Sequence, residues 1–149
     1  MFTGRIHGVT SLLSVGIAVG LAAGVMFSEA TALGAAYLVL GAGSMVAIVY
    51  AYCAKCPCKA HCGHIIPGII ATRIHRTPGP YTSAEYSVLG ITLALIIGLP
   101  QIWLWQHTGL FVAFWVLTGI GLVQIRAFVC RACHNGYCPL NQGFRKSIG

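Results

Sequence analysis

Four long apolar runs set the main constraint on how this chain can fold. They cover approximately residues 8–27, 31–52, 86–105 and 110–129. A helix needs about 20 apolar residues to cross the roughly 30 Å hydrocarbon core of a membrane, and each run meets that length. Only 7% of the residues are charged, against roughly 25% in a typical soluble domain. The sequence therefore predicts an all-α integral membrane protein with four transmembrane helices.

The distribution of basic residues predicts how these helices are oriented. Lys and Arg occur before the first run, between the second and third runs, and at or after the end of the fourth. The short turns 28–30 and 106–109 contain neither. Because basic loops tend to stay on the cytoplasmic side, we expect an N-in/C-in protein of the cytoplasmic (inner) membrane. The formal net charge of +7 is mainly this topology signal, and nucleic-acid binding is not favoured.

The seven cysteines form two short clusters, and each cluster begins where an apolar run ends. They are Cys53, Cys56, Cys58 and Cys62 in the first cluster and Cys130, Cys133 and Cys138 in the second. The repeated pattern indicates two tandem helical hairpins within a single membrane domain, 1–149. Both clusters are therefore predicted to lie at the same cytoplasmic surface, in a Cys-rich loop and tail.

The segments between these features complete the predicted organisation. Residues 8–62 form the first hairpin with its cluster, 63–85 an interfacial loop, 86–138 the second hairpin with its cluster, and 139–149 a basic tail. Within the interfacial loop, the apolar stretch 65–74 predicts a short helix at the membrane surface.

Closely spaced cysteines are compatible with several chemistries. Disulfides are disfavoured because the clusters are predicted to face the reducing cytosol and the count is odd. Cys130, Cys133 and His134 match the Cys-x-x-Cys-His pattern of covalent haem attachment, but such haem is attached on the opposite side of the membrane, so a c-type haem is not favoured. Zinc, held by four thiolates or by three with His134, is the alternative cofactor.

An iron–sulfur cluster, of the 4Fe–4S type, is the cofactor that we favour. Such clusters take about four thiolates from short loops, and the last cysteine is often followed by proline. The candidate cofactor and metal ligands are Cys53, Cys56, Cys58, Cys62, Cys130, Cys133 and Cys138, with His134 as a further candidate. Whether these residues hold two clusters or one shared cluster stays open.

The arrangement resembles the membrane portion of polyferredoxin-type electron-transfer subunits that serve quinol oxidation. The similarity rests on four spans and on cytoplasmic cysteine motifs that end in Cys-Pro, as at Cys138-Pro139. The family's motif is Cys-x-x-x-Cys-Pro, whereas four residues separate Cys133 from Cys138 here and two separate Cys53 from Cys56. The resemblance implies an iron–sulfur subunit of a membrane redox complex.

The remaining residues offer little catalytic chemistry. Glu29 and Glu85 are the two acidic residues of the chain, and the sequence contains no phosphate loop or nucleophile motif. We therefore expect a non-catalytic subunit that passes electrons between the quinone pool and a partner redox subunit at the cytoplasmic face. Its expected partners are other subunits of that complex, quinone and lipid. The alternatives are a heavy-metal handling or transport protein and a structural zinc-binding assembly subunit.

Overall fold

The computed structural model describes residues 2–131 and 133–138 and is helical over most of them. The predicted tail 139–149 lies outside the described residues. Helix α1 spans Phe2–Glu29, α2 Thr31–Ile48, α3 Ile65–Arg73, α4 Ser83–Gly98, α5 Gln101–Leu104 and α6 Thr108–Gln124. Two π-helical segments, Val49–Cys53 and Ile125–Val129, continue α2 and α6, and a 3-10 turn covers Lys59–His61.

Within the described residues, four helical stretches are long and apolar enough to cross a membrane. They are Gly4–Glu29, Thr31–Cys53, Ser83–Leu104 and Thr108–Val129, which confirms the predicted four membrane-length helices and the all-α class. The third stretch begins earlier than predicted because Thr82 and Glu85 form a capping box, which satisfies backbone N–H groups at the start of α4. The predicted short helix is also present, as α3. The tandem hairpins and the N-in/C-in orientation stay predictions.

Helix α1 makes the most extensive contacts in the bundle. It packs against both α2 and α6, and α2 packs in turn against α4. The approach of α1 to α6 depends on a small residue, since a Cβ added at Gly121 would lie 2.8 Å from Val15 Cγ2. The Tyr37 hydroxyl ties α2 to α4 by donating to the Ile96 carbonyl at 2.8 Å. Close contacts and interhelical hydrogen bonds of this kind hold helices together in lipid.

The best-packed apolar core lies toward the C-terminal half of α1. It consists of Ala18, Ala22, Ala23, Val25, Met26, Tyr37, Leu104 and Phe114. The cysteine loops lie at the other end of α1, where Gly8 and Gly4 approach Gly63. The bundle therefore positions both loops beside the start of its central helix.

Candidate metal centre

The two helices that lead into the cysteine loops end in the same way. A π-helical turn closes each one, with a 2.8 Å bond from the Ala54 N–H to the Val49 carbonyl and a 2.7 Å bond from the Cys130 N–H to the Ile125 carbonyl. Such turns are rare and are often found at functional sites. Both cysteine loops therefore leave their helices through a widened last turn.

The Cys-x-x-Cys segments that follow also share their backbone geometry. The N–H of Cys56 donates to the Cys53 carbonyl at 3.1 Å, and the N–H of Cys133 donates to the Cys130 carbonyl at 3.2 Å. The same hydrogen bond thus joins the two cysteines of each segment. The sequence similarity of the two segments is matched by a similarity in their local fold.

Three thiol sulfurs, which we call the thiol trio, converge between the two loops. The Sγ atoms of Cys56, Cys58 and Cys133 all lie within 4.8 Å of one another, and the three side chains are half-buried. Two of these cysteines belong to the first predicted cluster and one to the second. Three thiolates this close together can hold a metal ion. The structure therefore joins the two clusters in one candidate site.

Backbone N–H groups act on each thiol of the trio. The N–H groups of Cys58, His134 and Asn135 act to lower the pKa values of Cys56, Cys58 and Cys133, respectively. The His134 side chain, a candidate ligand from the sequence, is exposed. Concave groups of backbone N–H donors favour anions and occur at phosphate and iron–sulfur sites. These donors thus favour the thiolate form of the three cysteines, in opposition to burial.

The protonation of the thiol trio is uneven. A hydrogen bond from the Cys133 thiol lowers the pKa of Cys56, although burial acts in the opposite direction. The pKa of Cys133 is raised, first by that hydrogen bond and then by burial. Burial also raises the pKa of Cys58. Cys56 is therefore the first thiolate of the trio to form, and a bound cation would have to displace protons from the other two.

The four remaining cysteines lie in the same two loops as the trio. Cys62 and Cys130 both interact electrostatically with Cys133, and burial raises the pKa of both thiols, that of Cys130 to about 11. Cys53 interacts with Cys62, and Cys138 with Cys130. All seven predicted cysteine ligands thus belong to the two loops that meet here, and the sulfurs of three of them converge closely.

A polar network that the sequence analysis missed lies against this group. The Asn135 side-chain nitrogen donates to the Cys56 sulfur at 3.4 Å and to the Tyr81 hydroxyl at 3.1 Å. The Tyr81 ring stacks on Tyr52 with centroids 4.2 Å apart, and the Tyr52 hydroxyl lies 3.2 Å from the Cys138 sulfur. The available sequence signal was the position of Asn135 inside the second cluster.

A charged cluster that the sequence analysis also missed anchors the first loop to α4. Glu85, with 7% of its surface exposed, pairs with Lys55 at 2.9 Å and with Arg76 at 2.9 Å. Lys55 lies within the first Cys-x-x-Cys turn, and Arg76 also donates to the Tyr50 carbonyl at 3.0 Å. One carboxylate therefore links the cysteine loop, the interfacial segment and the start of α4.

Helices α1 and α3 hold the other end of the first loop. The His64 ring Nδ1 lies 3.3 Å from the Gly8 carbonyl, and a Cβ at Gly8 would overlap the Gly63 carbonyl. On the α3 side, a Cβ at Gly68 would lie 3.2 Å from Cys62 Cβ. Close backbone contacts at both glycines thus fix the position of Cys62.

Comparison with known proteins identifies no relative of this chain. No protein family model, curated protein or solved structure matches it. What the fold and the site define is a class: a helical protein with four membrane-length helices and a cysteine trio able to hold a metal. The resemblance to polyferredoxin-type subunits stays a prediction.

Proposed function

We propose that this chain is a membrane-embedded metal–thiolate protein whose centre is shared by the two halves of the sequence. The single observation that carries the proposal is the convergence of the Cys56, Cys58 and Cys133 sulfurs within 4.8 Å. These residues lie in different loops, so their proximity depends on the folded bundle. A structural or redox metal would explain that convergence, because metal–thiolate bonds would link the two loops to each other.

Within this class, we propose an iron–sulfur centre that relays electrons at the cytoplasmic face of the inner membrane. Two features support this use. The two loops carry seven cysteines, enough for the four thiolate ligands of a 4Fe–4S cluster. Backbone N–H groups and the Asn135 amide also donate to the sulfurs, and such hydrogen bonds set the potentials of iron–sulfur clusters.

The proposed relay is a one-electron carrier between a quinol and a partner redox subunit. Oxidation of a quinol to a quinone releases two electrons and two protons. The centre would accept the electrons one at a time and pass each to an oxidised metal or flavin centre of the partner, while the protons leave to water. The chain supplies the thiolate ligands and the hydrogen-bond donors, and the partner supplies the terminal electron acceptor.

A second candidate function, the handling of a single soft cation, is favoured by the separation of the sulfurs. Tetrahedral Zn–S bonds of about 2.3 Å place neighbouring sulfurs about 3.8 Å apart, and the trio lies within 4.8 Å. Zn²⁺ or Cu⁺ would suit such a set of soft ligands. In this case the metal is structural or is cargo, and the protein carries no electrons.

Anaerobic purification followed by metal and sulfide analysis separates the two candidates. The relay predicts iron and acid-labile sulfide in comparable amounts, with an electron paramagnetic resonance signal that appears or disappears on reduction. Zinc or copper without sulfide would contradict the relay and support the second candidate. A chain purified without any thiolate-bound metal, and unable to take one up after reduction of its thiols, would contradict both.

A further inference from the structure

Asn135 is an almost completely buried polar residue in direct contact with the candidate metal centre. Its relative exposure is 1%. A buried amide is costly unless it is hydrogen-bonded, and this one donates to the Cys56 sulfur and to the Tyr81 hydroxyl. Asn135 belongs to the second loop and Cys56 to the first. The residue therefore joins the two loops at the sulfur that they share.

The orientation of the Asn135 amide is fixed by a third hydrogen bond. The backbone N–H of Tyr137 donates to Asn135 Oδ1 at 3.0 Å. A backbone N–H can only donate, so the oxygen must face Tyr137. The amide nitrogen must then face Cys56 and Tyr81. The contact with sulfur is thus an N–H donor contact and not the reverse, flipped arrangement.

A donor in this position favours negative charge on the Cys56 sulfur. We infer that Asn135 is a positioning residue of the metal centre: it holds the Cys56 sulfur in the trio and withdraws electron density from it through the amide N–H. This inference rests on the proposed metal–thiolate function and deepens it. Outer hydrogen-bond partners of metal ligands orient those ligands, and their removal typically weakens metal binding by about 10–100-fold.

Cobalt binding tests this role without assuming which metal is native. The reduced full-length protein in detergent is titrated anaerobically with Co²⁺, and the thiolate-to-cobalt charge-transfer absorption is recorded. In Asn135→Leu, which is similar in size but has no donor, we expect weaker Co²⁺ binding by roughly tenfold. We also expect the charge-transfer band at longer wavelength, because a sulfur without the hydrogen bond gives up electron density more easily.

Two further variants separate the hydrogen bond to sulfur from packing. Asn135→Asp keeps the size of the side chain and the oxygen that accepts from Tyr137, but it replaces the amide donor by a carboxylate oxygen. We expect changes in Co²⁺ affinity and in band position at least as large as those in Asn135→Leu. This variant tests the role even if the leucine variant fails to fold. Tyr81→Phe removes the other acceptor of the Asn135 amide and leaves the bond to Cys56. We expect a smaller band shift than in Asn135→Leu, because the donor to Cys56 is retained.

The outcomes are distinguishable. Unchanged affinity and an unchanged band in a folded Asn135→Leu or Asn135→Asp protein would overturn the role of Asn135 and leave the metal site intact. An equal shift in Tyr81→Phe would overturn it as well, because the effect would then belong to packing. No thiolate–cobalt band in the unmodified protein would overturn the metal site itself, and the role of Asn135 with it.

Discussion

His64 connects the first cysteine loop to helix α1 and makes that connection sensitive to pH. Burial lowers the pKa of its ring, and the hydrogen bond with the Gly8 carbonyl opposes this effect. The unfolded chain has the ordinary pKa of about 6.5, so below that pH the unfolded state binds more protons than the folded state. The contribution of His64 to stability is therefore fully present above about pH 6.5 and is lost as the pH falls toward the folded pKa.

We accordingly predict that part of the acid destabilisation of this protein depends on His64. Thermal unfolding in detergent, followed by circular dichroism, should give a lower midpoint at pH 5 than at pH 7. His64→Asn should reduce that difference, whereas His107→Asn, at an exposed position in the turn before α6, should leave it unchanged. An equal pH dependence in all three proteins would show that the His64 contact has no such effect.

The two carboxylates of the chain provide a matched pair of substitutions. Glu85 is buried and forms ion pairs with both Lys55 and Arg76, whereas Glu29 is exposed at the end of α1. Glu85→Gln leaves two cations without their anion, so we predict a lower midpoint of thermal unfolding and weaker metal binding. Glu29→Gln should change neither quantity. Equal effects of the two substitutions would rule out a special role for the Glu85 cluster.

The cysteines of the candidate site could be identified from the sequence more readily than the residues that contact them. Cysteine has few other roles at such density, so all seven were identified as candidate ligands. Which sulfurs lie closest together depends on the path of the two loops in space. They are those of Cys56, Cys58 and Cys133. Asn135 was missed because an asparagine in a polar loop usually faces water, and its burial follows from the packing of Tyr81 against it.

Among the helices, α1 carries two glycines with opposite surroundings. A Cβ at Gly8 would overlap the Gly63 carbonyl, next to Cys62, whereas a Cβ at Gly16 would meet nothing within 4 Å. We predict that Gly8→Ala destabilises the protein by about 1–3 kcal/mol, which lowers the unfolding midpoint by at least about 3 °C in a chain of this size. Gly16→Ala should be neutral or slightly stabilising, because alanine is the better helix former.

Metal affinity can be measured for the same two glycine variants. Because the Gly8 contact fixes the loop that carries the first cysteines, Gly8→Ala should also weaken Co²⁺ binding, and Gly16→Ala should not. A Gly8→Ala protein that is as stable as the unmodified chain and binds cobalt as tightly would show that α1 does not position the first loop.

The existence of the helices was predictable, whereas their ends were not. An apolar run of membrane length predicts a helix, because its backbone N–H and C=O groups must be hydrogen-bonded internally in lipid. The capping box of Thr82 and Glu85 moved the start of α4 into a polar stretch that hydropathy does not detect. In the π-helical turns before Ala54 and Cys130, each backbone hydrogen bond spans five residues instead of the four of an α-helix. No side-chain pattern in the sequence predicts that difference.

For the molecule as a whole, the central prediction is that every cysteine faces the cytoplasm. A membrane-impermeant thiol reagent should therefore label the native, metal-free protein in inverted membrane vesicles and not in right-side-out vesicles. A chain with all seven cysteines replaced by serine and with Glu29→Cys introduced should show the reverse, since residue 29 lies in a turn without basic residues. Labelling of the native cysteines from the outside would contradict the predicted orientation.

The sequence left open whether the two cysteine clusters form one site or two, and the fold bears on this question. Spacing along the chain allowed two separate sites, one at each helix end, because 76 residues separate Cys56 from Cys133. Packing of α1 against α2 and α6 brings the two helix ends to the same place. Such long-range contacts depend on the whole bundle, and hydropathy and motif spacing carry no information about them.

The most direct test of the shared centre is the amount of metal bound per chain after single substitutions in each loop. If one centre uses both loops, Cys56→Ser and Cys133→Ser should each remove essentially all of the bound metal, measured by mass spectrometry of the anaerobically purified protein. His61→Ala, at an exposed position in the first loop, should retain it. Loss of only about half of the metal in each cysteine variant, or retention of all of it in either one, would contradict a centre shared between the two halves.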